Sequence, residues 1–210
     1  MKSPPFTPTE DSTSLEGRFV SQLAKLETDE DRATLAQLRR GLGKPLGFVT
    51  ERDGWVMRKL SILTTRDLSH RELTIYALIA SLFAQHSAAG GSGSFGDVFC
   101  ELGRIRPAPD GGPNSSVEKR FVALLNSNSE ELGDRLRHAV SLLRTNNIAI
   151  DWRCLLYDAL RWDSSRRWVQ INWSRDFWGS RRKPESETDA DLVVATQREE
   201  TPQPESAGTR

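Results

Sequence analysis

The sequence predicts an all-α fold, a helical bundle of about eight helices with disordered N- and C-terminal tails, and three observations carry that expectation. Apolar residues recur every three or four positions in segment after segment. Capping signatures open several of these segments, among them Ser69-His70-Arg71-Glu72 and Asp151. No segment sustains the period-two alternation between hairpin turns that half-buried strands need.

Residues 1–13 are rich in Pro, Ser, Thr and acids and are expected to form a disordered tail. Leu15, Phe19, Leu23 and Leu26 then mark a first amphipathic helix. A second spans DRATLAQLRRGLGKP, residues 31–45, with Thr28 as its expected cap and Asp29, Glu30 and Asp31 in its first turn. Leu35, Leu38 and Leu42 form its buried stripe, Gly41 or Gly43 stops it, and Pro45 forbids its resumption. Arg32 and Arg39 fall beside the leucines, Arg40 points further out, and Lys44 adds a cation past the glycines. PLGFVTERDG, residues 45–54, reads as a connection, and Val56, Leu60 and Leu63 as a short helix.

The capping box at Ser69 opens ELTIYALIASLFAQH, which is apolar almost all round and so belongs at the centre of the core. SAAGGSGSFG follows, with Gly91, Gly93 and Gly96 in GxGxxG spacing. A dinucleotide fingerprint needs a strand before it and a helix after it in a βαβ unit, whereas here a helix precedes, so the segment reads as a flexible Gly/Ser linker. Phe95, Val98, Phe99 and Leu102 make a short helix, and PAPDGGPNSS, residues 107–116, a long loop. That loop separates an N-terminal helical half, residues 14–106, from a C-terminal half, residues 107–183.

In the second half, Ser115 and Glu118 form a capping box ahead of Val117, Phe121, Leu124 and Leu125. Ser129 caps a helix striped by Leu132, Leu136, Val140 and Leu143. Asp151 caps DWRCLLYDALRW, with Leu155, Leu156, Ala159 and Leu160 facing inward, and Ser164 or Ser165 starts SRRWVQINWSRDFW, which Gly179 ends. Residues 184–210 form a second, acidic disordered tail.

The net charge of zero hides a division. Residues 1–30 hold 3 basic and 6 acidic groups, residues 31–183 hold 24 and 16, and residues 184–210 hold 2 and 7. The body is therefore cationic, and 20 of its 24 cations are arginine, the side chain suited to planar recognition of phosphate or carboxylate. Cys100 and Cys154 are too few and too distant for a CxxC site or a disulfide framework, and read as buried free thiols. No apolar run approaches the roughly 20 residues of a membrane span, and the N-terminus lacks signal-peptide regions, so a cytoplasmic protein without a membrane partner is expected.

Catalytic chemistry finds no motif: His70, His86 and His138 are isolated, and neither metal-ligand spacing nor a nucleophile elbow occurs, so no catalytic residue, metal or cofactor is expected. The candidate site is instead cationic. Arg39, Arg40 and Lys44 close the second helix, where dipole complementarity and phosphate binding both favour arginine. Arg137 and Arg144 share a face off a leucine stripe. Lys119 and Arg120, and Arg166 and Arg167, fall in the first turns of their helices, where cations oppose the dipole and an external anion explains them better. Trp152, Trp162, Trp168, Trp173 and Trp178 crowd the last two helices and read as core and interface anchors rather than base-stacking platforms.

DRATLAQLRRGLG near the N-terminus and IAIDWRCLLYDALRWDSSRRWVQINWSRDFW near the C-terminus resemble the CasB family, the small subunit of the type I-E CRISPR surveillance complex Cascade. The two motifs cover about a fifth of the chain. The resemblance implies an all-helical protein without catalytic activity, present as two adjoining copies beside the backbone and large subunits of an RNA-guided complex. It further implies a basic surface that helps hold crRNA-paired target DNA and the displaced strand in the R-loop, with the family's arginine pair carried onto Arg39 and Arg40. Two other readings use the same body: a helical protein-interaction scaffold with no direct nucleic-acid contact, and a helix-turn-helix regulator selective for one short duplex.

Overall fold

A computed structural model of the chain describes residues 13–88, 90–105 and 115–179. Among these residues there are nine α-helices and no strand: α1 (Leu15–Thr28), α2 (Arg32–Arg39), α3 (Thr50–Leu63), α4 (His70–Gln85), α5 (Phe95–Ile105), α6 (Ser115–Leu125), α7 (Ser129–Thr145), α8 (Trp152–Leu160) and α9 (Trp168–Gly179). The two tails and most of the 107–116 loop lie outside the described residues, as does the side chain of Ser115 proposed for a capping box.

Helix α4 is the axis, packed by α2, α3, α7 and α8, while α1 lies on α2, α3 and α8. Its buried residues include Ile75, Tyr76, Ile79, Ala80, Leu82 and Phe83, and with Ala77, Ser81 and Ala84 they cover most of the circumference of the helix. The expected capping box is present: Glu72 N–H donates to Ser69 Oγ at 3.2 Å, and Ser69 N–H to Glu72 Oε2 at 2.8 Å. The bond from Ser69 N–H, with Arg66 Nη2 at 2.8 Å from Glu72 Oε1, holds the Glu72 carboxyl down to about 2.

Helices α5, α6, α8 and α9 share an aromatic core. Phe95 stands 5.1 Å from Trp173, Phe99 5.1 Å from Phe121, and Phe121 4.3 Å from Phe177. Trp162 and Trp173 are fully buried, with Trp162 Nε1 donating to Ser127 O at 3.0 Å and Trp173 Nε1 to Asp158 Oδ2 at 2.6 Å. The tryptophans are thus core residues, with Trp168 and Trp178 packed at its margin. Both cysteines are free and buried, as expected. His86, 7% exposed with Nε2 2.7 Å from Ile148 O, is likewise a core residue.

Several boundaries differ from the sequence reading. Thr28 does not cap α2. It ends α1, where its Oγ1 donates to Ala24 O, while Asp31 caps α2 by accepting from Thr34 N–H at 3.0 Å. The break falls at Glu30, whose φ of 52° no helix accommodates. Asn128, rather than Ser129, caps α7, because its carboxamide oxygen reaches Glu131 N–H at 2.9 Å. Helix α3 begins at Thr50, inside the expected connection, behind a buried Val49. Helix α9 starts at Trp168, because Arg167 adopts φ 47° and interrupts any helix from Ser164.

The Gly/Ser segment is not a plain linker. A Cβ on Gly91 would meet the backbone of Ile150 and Asp151, and one on Gly96, inside α5, the carbonyl of Trp173. These glycines let one backbone approach another, which is how α5 lies against α9.

Candidate nucleic-acid interface

The segment after α2 is built around a buried arginine. Arg52, in the first turn of α3 and 2% exposed, donates Nη1 to Gly41 O at 2.8 Å and Lys44 O at 2.9 Å, and Nη2 to Pro45 O at 2.9 Å. Its Nε donates to Asp53 Oδ1 at 2.6 Å, and Asp53 Oδ2 accepts from Gly47 N–H at 2.7 Å. One ion pair therefore satisfies three carbonyls and an amide of the loop from Gly41 to Gly47, fixing a backbone that has no regular structure of its own. The close approach requires Gly41, whose Cβ would collide with the Arg52 side chain and Ser81 Oγ.

That loop and the end of α2 present the first group of expected site residues. Arg39 is exposed but tied down: Nε and Nη2 both donate to Ala84 O, at 2.9 and 2.6 Å, capping the carbonyl end of α4. Arg40 and Lys44 are exposed, and their side chains bond to no other described residue. Arg137 comes to them from α7, its Nη1 2.9 Å from where a Gly43 Cβ would stand, with Asp134 at 3.3 Å from its Nη2. Gly43 has φ 70° and lacks a side chain, so it both turns the loop and admits this guanidinium. Arg144, two turns further along α7, is exposed and unpaired among the described residues.

The remaining candidates gather elsewhere. Lys119 and Arg120 are exposed on α6, and Arg120 edges a cavity of about 270 Å³ floored by Phe99, Ala139 and Leu142 and flanked by Arg135 and His138. Arg166 and Arg167 lie just before α9 rather than in its first turn. They border a second cleft with Gln170 and Ile171. Arg167 is partly structural, since its Nη2 donates to Leu125 O at 2.5 Å. The structure thus sets Arg137 beside Gly43, next in the chain to Lys44, turns Arg39 into a tether, and leaves Arg120 and Arg166 at two separate cavities.

Arg52, which fixes the loop, and Arg135, which lines the first cavity, are not singled out by the sequence. Arg52 lies in a segment that reads as a connection, and only its carbonyl partners, 7 to 11 residues away, reveal its role. Arg135 lies on α7 at i−3 from His138, a spacing that places both on one face and is visible in the sequence. Among the described residues, no cluster of three or more His, Cys, Asp or Glu could hold a metal ion, and no helix is long and apolar enough to cross a membrane. The Cys154 thiol is pushed far up by burial, with Asp158 next to it adding to the rise.

Comparison with known proteins bears on the family and the fold. The family model for CRISPR-associated protein Cse2 matches residues 34–178, from the first turn of α2 to the end of the aromatic core. A CRISPR-associated protein Cse2 from Thermus thermophilus is 32% identical over 164 residues, 78% of this chain and 89% of that one. The crystal structure of M. ruber CasB superposes with a TM-score of 0.67 at 29% identity, covering 87% of this chain and 98% of that chain. A chain of a CRISPR RNA-guided surveillance complex shares the fold at 20% identity and a TM-score of 0.62, over 88% of this chain and 98% of its own. With a family match over most of the described helices and a relative this similar over nearly its whole length, the chain belongs to the Cse2 family of CRISPR-associated proteins.

Proposed function

We infer that the chain is a non-catalytic small subunit of an RNA-guided type I-E CRISPR complex, Cascade, and binds nucleic acid without sequence specificity to stabilise the R-loop. Its partners there are crRNA and target DNA, the backbone and large subunits, and a second copy of itself. The observation that carries this reading is the loop from Gly41 to Gly47. A buried ion pair fixes its backbone while Arg40 and Lys44 are left in solvent, with Arg137 beside Gly43. Cations held this way reach phosphates with little ordering cost, and they carry no base-edge specificity of their own. In an RNA-guided complex, guide pairing supplies sequence and the protein supplies backbone contacts that tip a nearly balanced strand exchange.

The scaffold reading has its own support in Phe48, 74% exposed, and Ile62, 79% exposed, apolar groups at the ends of α3 that a protein partner would cover. The two roles use different residues and can be separated. Reversing Arg40 and Lys44 to Glu is expected to weaken binding to unrelated DNA sequences alike. The slope of log K against log salt should flatten by roughly 0.9 for each duplex phosphate that is no longer neutralised. Arg39 is left intact because it tethers α4. Unchanged affinity and slope, with an unchanged melting transition, would leave only the scaffold role.

A further inference from the structure

We propose that the cleft between the end of α6 and the start of α9 is a subsite for one unpaired nucleotide, holding its phosphate at Arg166 and its base against Ile171 and Gln170. This deepens, and rests on, the nucleic-acid reading above. The cleft has a volume of about 450 Å³, within the range of small-molecule sites, and Arg166, Arg167, Gln170, Ile171, Ser165 and Ser174 form most of its wall.

Gln170 is the group that points to a ligand. It is 6% exposed, and its Nε2 donates to Trp162 O at 2.9 Å. That bond determines which way the carboxamide faces, since the flipped amide would set two acceptors against each other. Oε1 is therefore the end left over, and it is buried with no hydrogen-bond partner. Gln170 lines the cleft, so a ligand that brings an N–H there and draws Oε1 out of its buried position would satisfy an acceptor that is otherwise unmet. Every nucleobase carries such a donor on its pairing edge once it is unpaired.

The other walls match the rest of a nucleotide. Ile171 is 52% exposed on the first turn of α9, an apolar face open to the cleft and suited to the plane of a base. Arg166 is exposed, and its side chain bonds to no other described residue. Arg167 holds the segment in place through Leu125 O, in a left-handed conformation, φ 47°, uncommon for a residue with a side chain. Both arginines stand beside the positive end of α9, where a cation is disfavoured unless an anion joins it. The polar side chains of the wall are hydroxyls, amides and guanidinium groups with no carboxylate among them, which suits a phosphodiester better than an acidic or zwitterionic peptide. A duplex has its pairing-edge donors occupied and its bases stacked, so the cleft favours single strands.

The test uses the full chain and fluorescence anisotropy with two labelled single strands of equal length, one bearing bases and one abasic. The wild type is expected to bind the base-bearing strand about tenfold more tightly, as one stacked base typically contributes. Ile171→Asp, at an exposed position, should abolish that ratio, and Gln170→Met, which keeps the shape but not the amide, should cut it severalfold. Arg166→Ala should weaken both strands, whereas Arg40→Glu should weaken both and leave the ratio intact. Equal binding of the two strands by the wild type, or a ratio that survives Ile171→Asp, overturns the subsite while the basic-surface reading stands. Binding of neither strand overturns both. A hexaglutamate peptide that binds the wild type but not Arg166→Ala, without displacing the base-bearing strand, assigns the cleft to peptide and overturns the proposal.

Discussion

Arg52 shows how much one side chain can decide. Its guanidinium is enclosed, paired with Asp53, and bonded to three carbonyls of the loop that presents Arg40 and Lys44. Removing one partner of a buried pair strands the other charge, so Arg52→Ala is expected to cost about 3–5 kcal/mol in urea unfolding. A loss below about 1 kcal/mol would show that water replaces the guanidinium and that the loop does not depend on it. Asp158 is a second residue whose surroundings set its chemistry. Burial pushes its carboxyl up to about 6, opposed by the hydrogen bonds from Trp173 Nε1 and Cys154 Sγ. Its unfolded value is about 3.9, so the folded chain binds this proton more tightly, and the group adds stability as pH falls through 6 toward 4. The wild type should therefore gain roughly 2 kcal/mol relative to Asp158→Asn between pH 7.5 and pH 4.5. Glu72, held down near 2, works in the opposite sense, and its contribution is lost only as pH falls below its unfolded value of about 4.3. A stability difference between the wild type and the Asp158→Asn variant that does not move with pH would remove the claim for Asp158.

At the scale of elements, helix existence was legible and helix ends were not. The apolar stripes of α1, α4, α5, α7 and α8 proved to be buried or, at Leu15, Leu73, Leu78 and Leu160, partly buried, because period and burial are two expressions of one geometry. Caps are set by single rotamers and one or two φ values, and neighbouring candidates such as Thr28 and Asp31, or Asn128 and Ser129, are chemically equivalent in a sequence. The start of α9 matters most, because Arg167 at φ 47° moves two arginines out of a helix and onto the rim of a cleft. The glycines of the α4–α5 connection suggest freedom in the sequence and serve closeness in the fold. Gly96→Ala would drive a methyl into the Trp173 carbonyl and force α5 off α9, an overpacking cost of about 1–3 kcal/mol. Thermal unfolding checks this, and a melting temperature equal to wild type would show that the two helices slide apart freely.

For the whole molecule, the division of charge was written in the sequence: a cationic body of 24 basic and 16 acidic groups between acidic ends. So were the all-helical class, the apolar axis at α4 and the tryptophan-rich core, since composition and period are local properties that the chain carries wherever it folds. Which cations are free is not such a property. Arg39 and Arg40 are neighbours with the same chemistry, yet one caps a carbonyl 45 residues away and the other faces water. Arg167 is tied to a carbonyl 42 residues back while Arg166 is not. Arg137 reaches the α2 loop only because α7 and α2 both pack on α4 and Gly43 leaves room. The sequence by itself determined that this protein would be helical, basic and tryptophan-cored. Tertiary structure alone decided which guanidinium groups hold the fold together and which remain for a ligand, because a hydrogen bond depends on distance in space and a sequence specifies only distance along the chain.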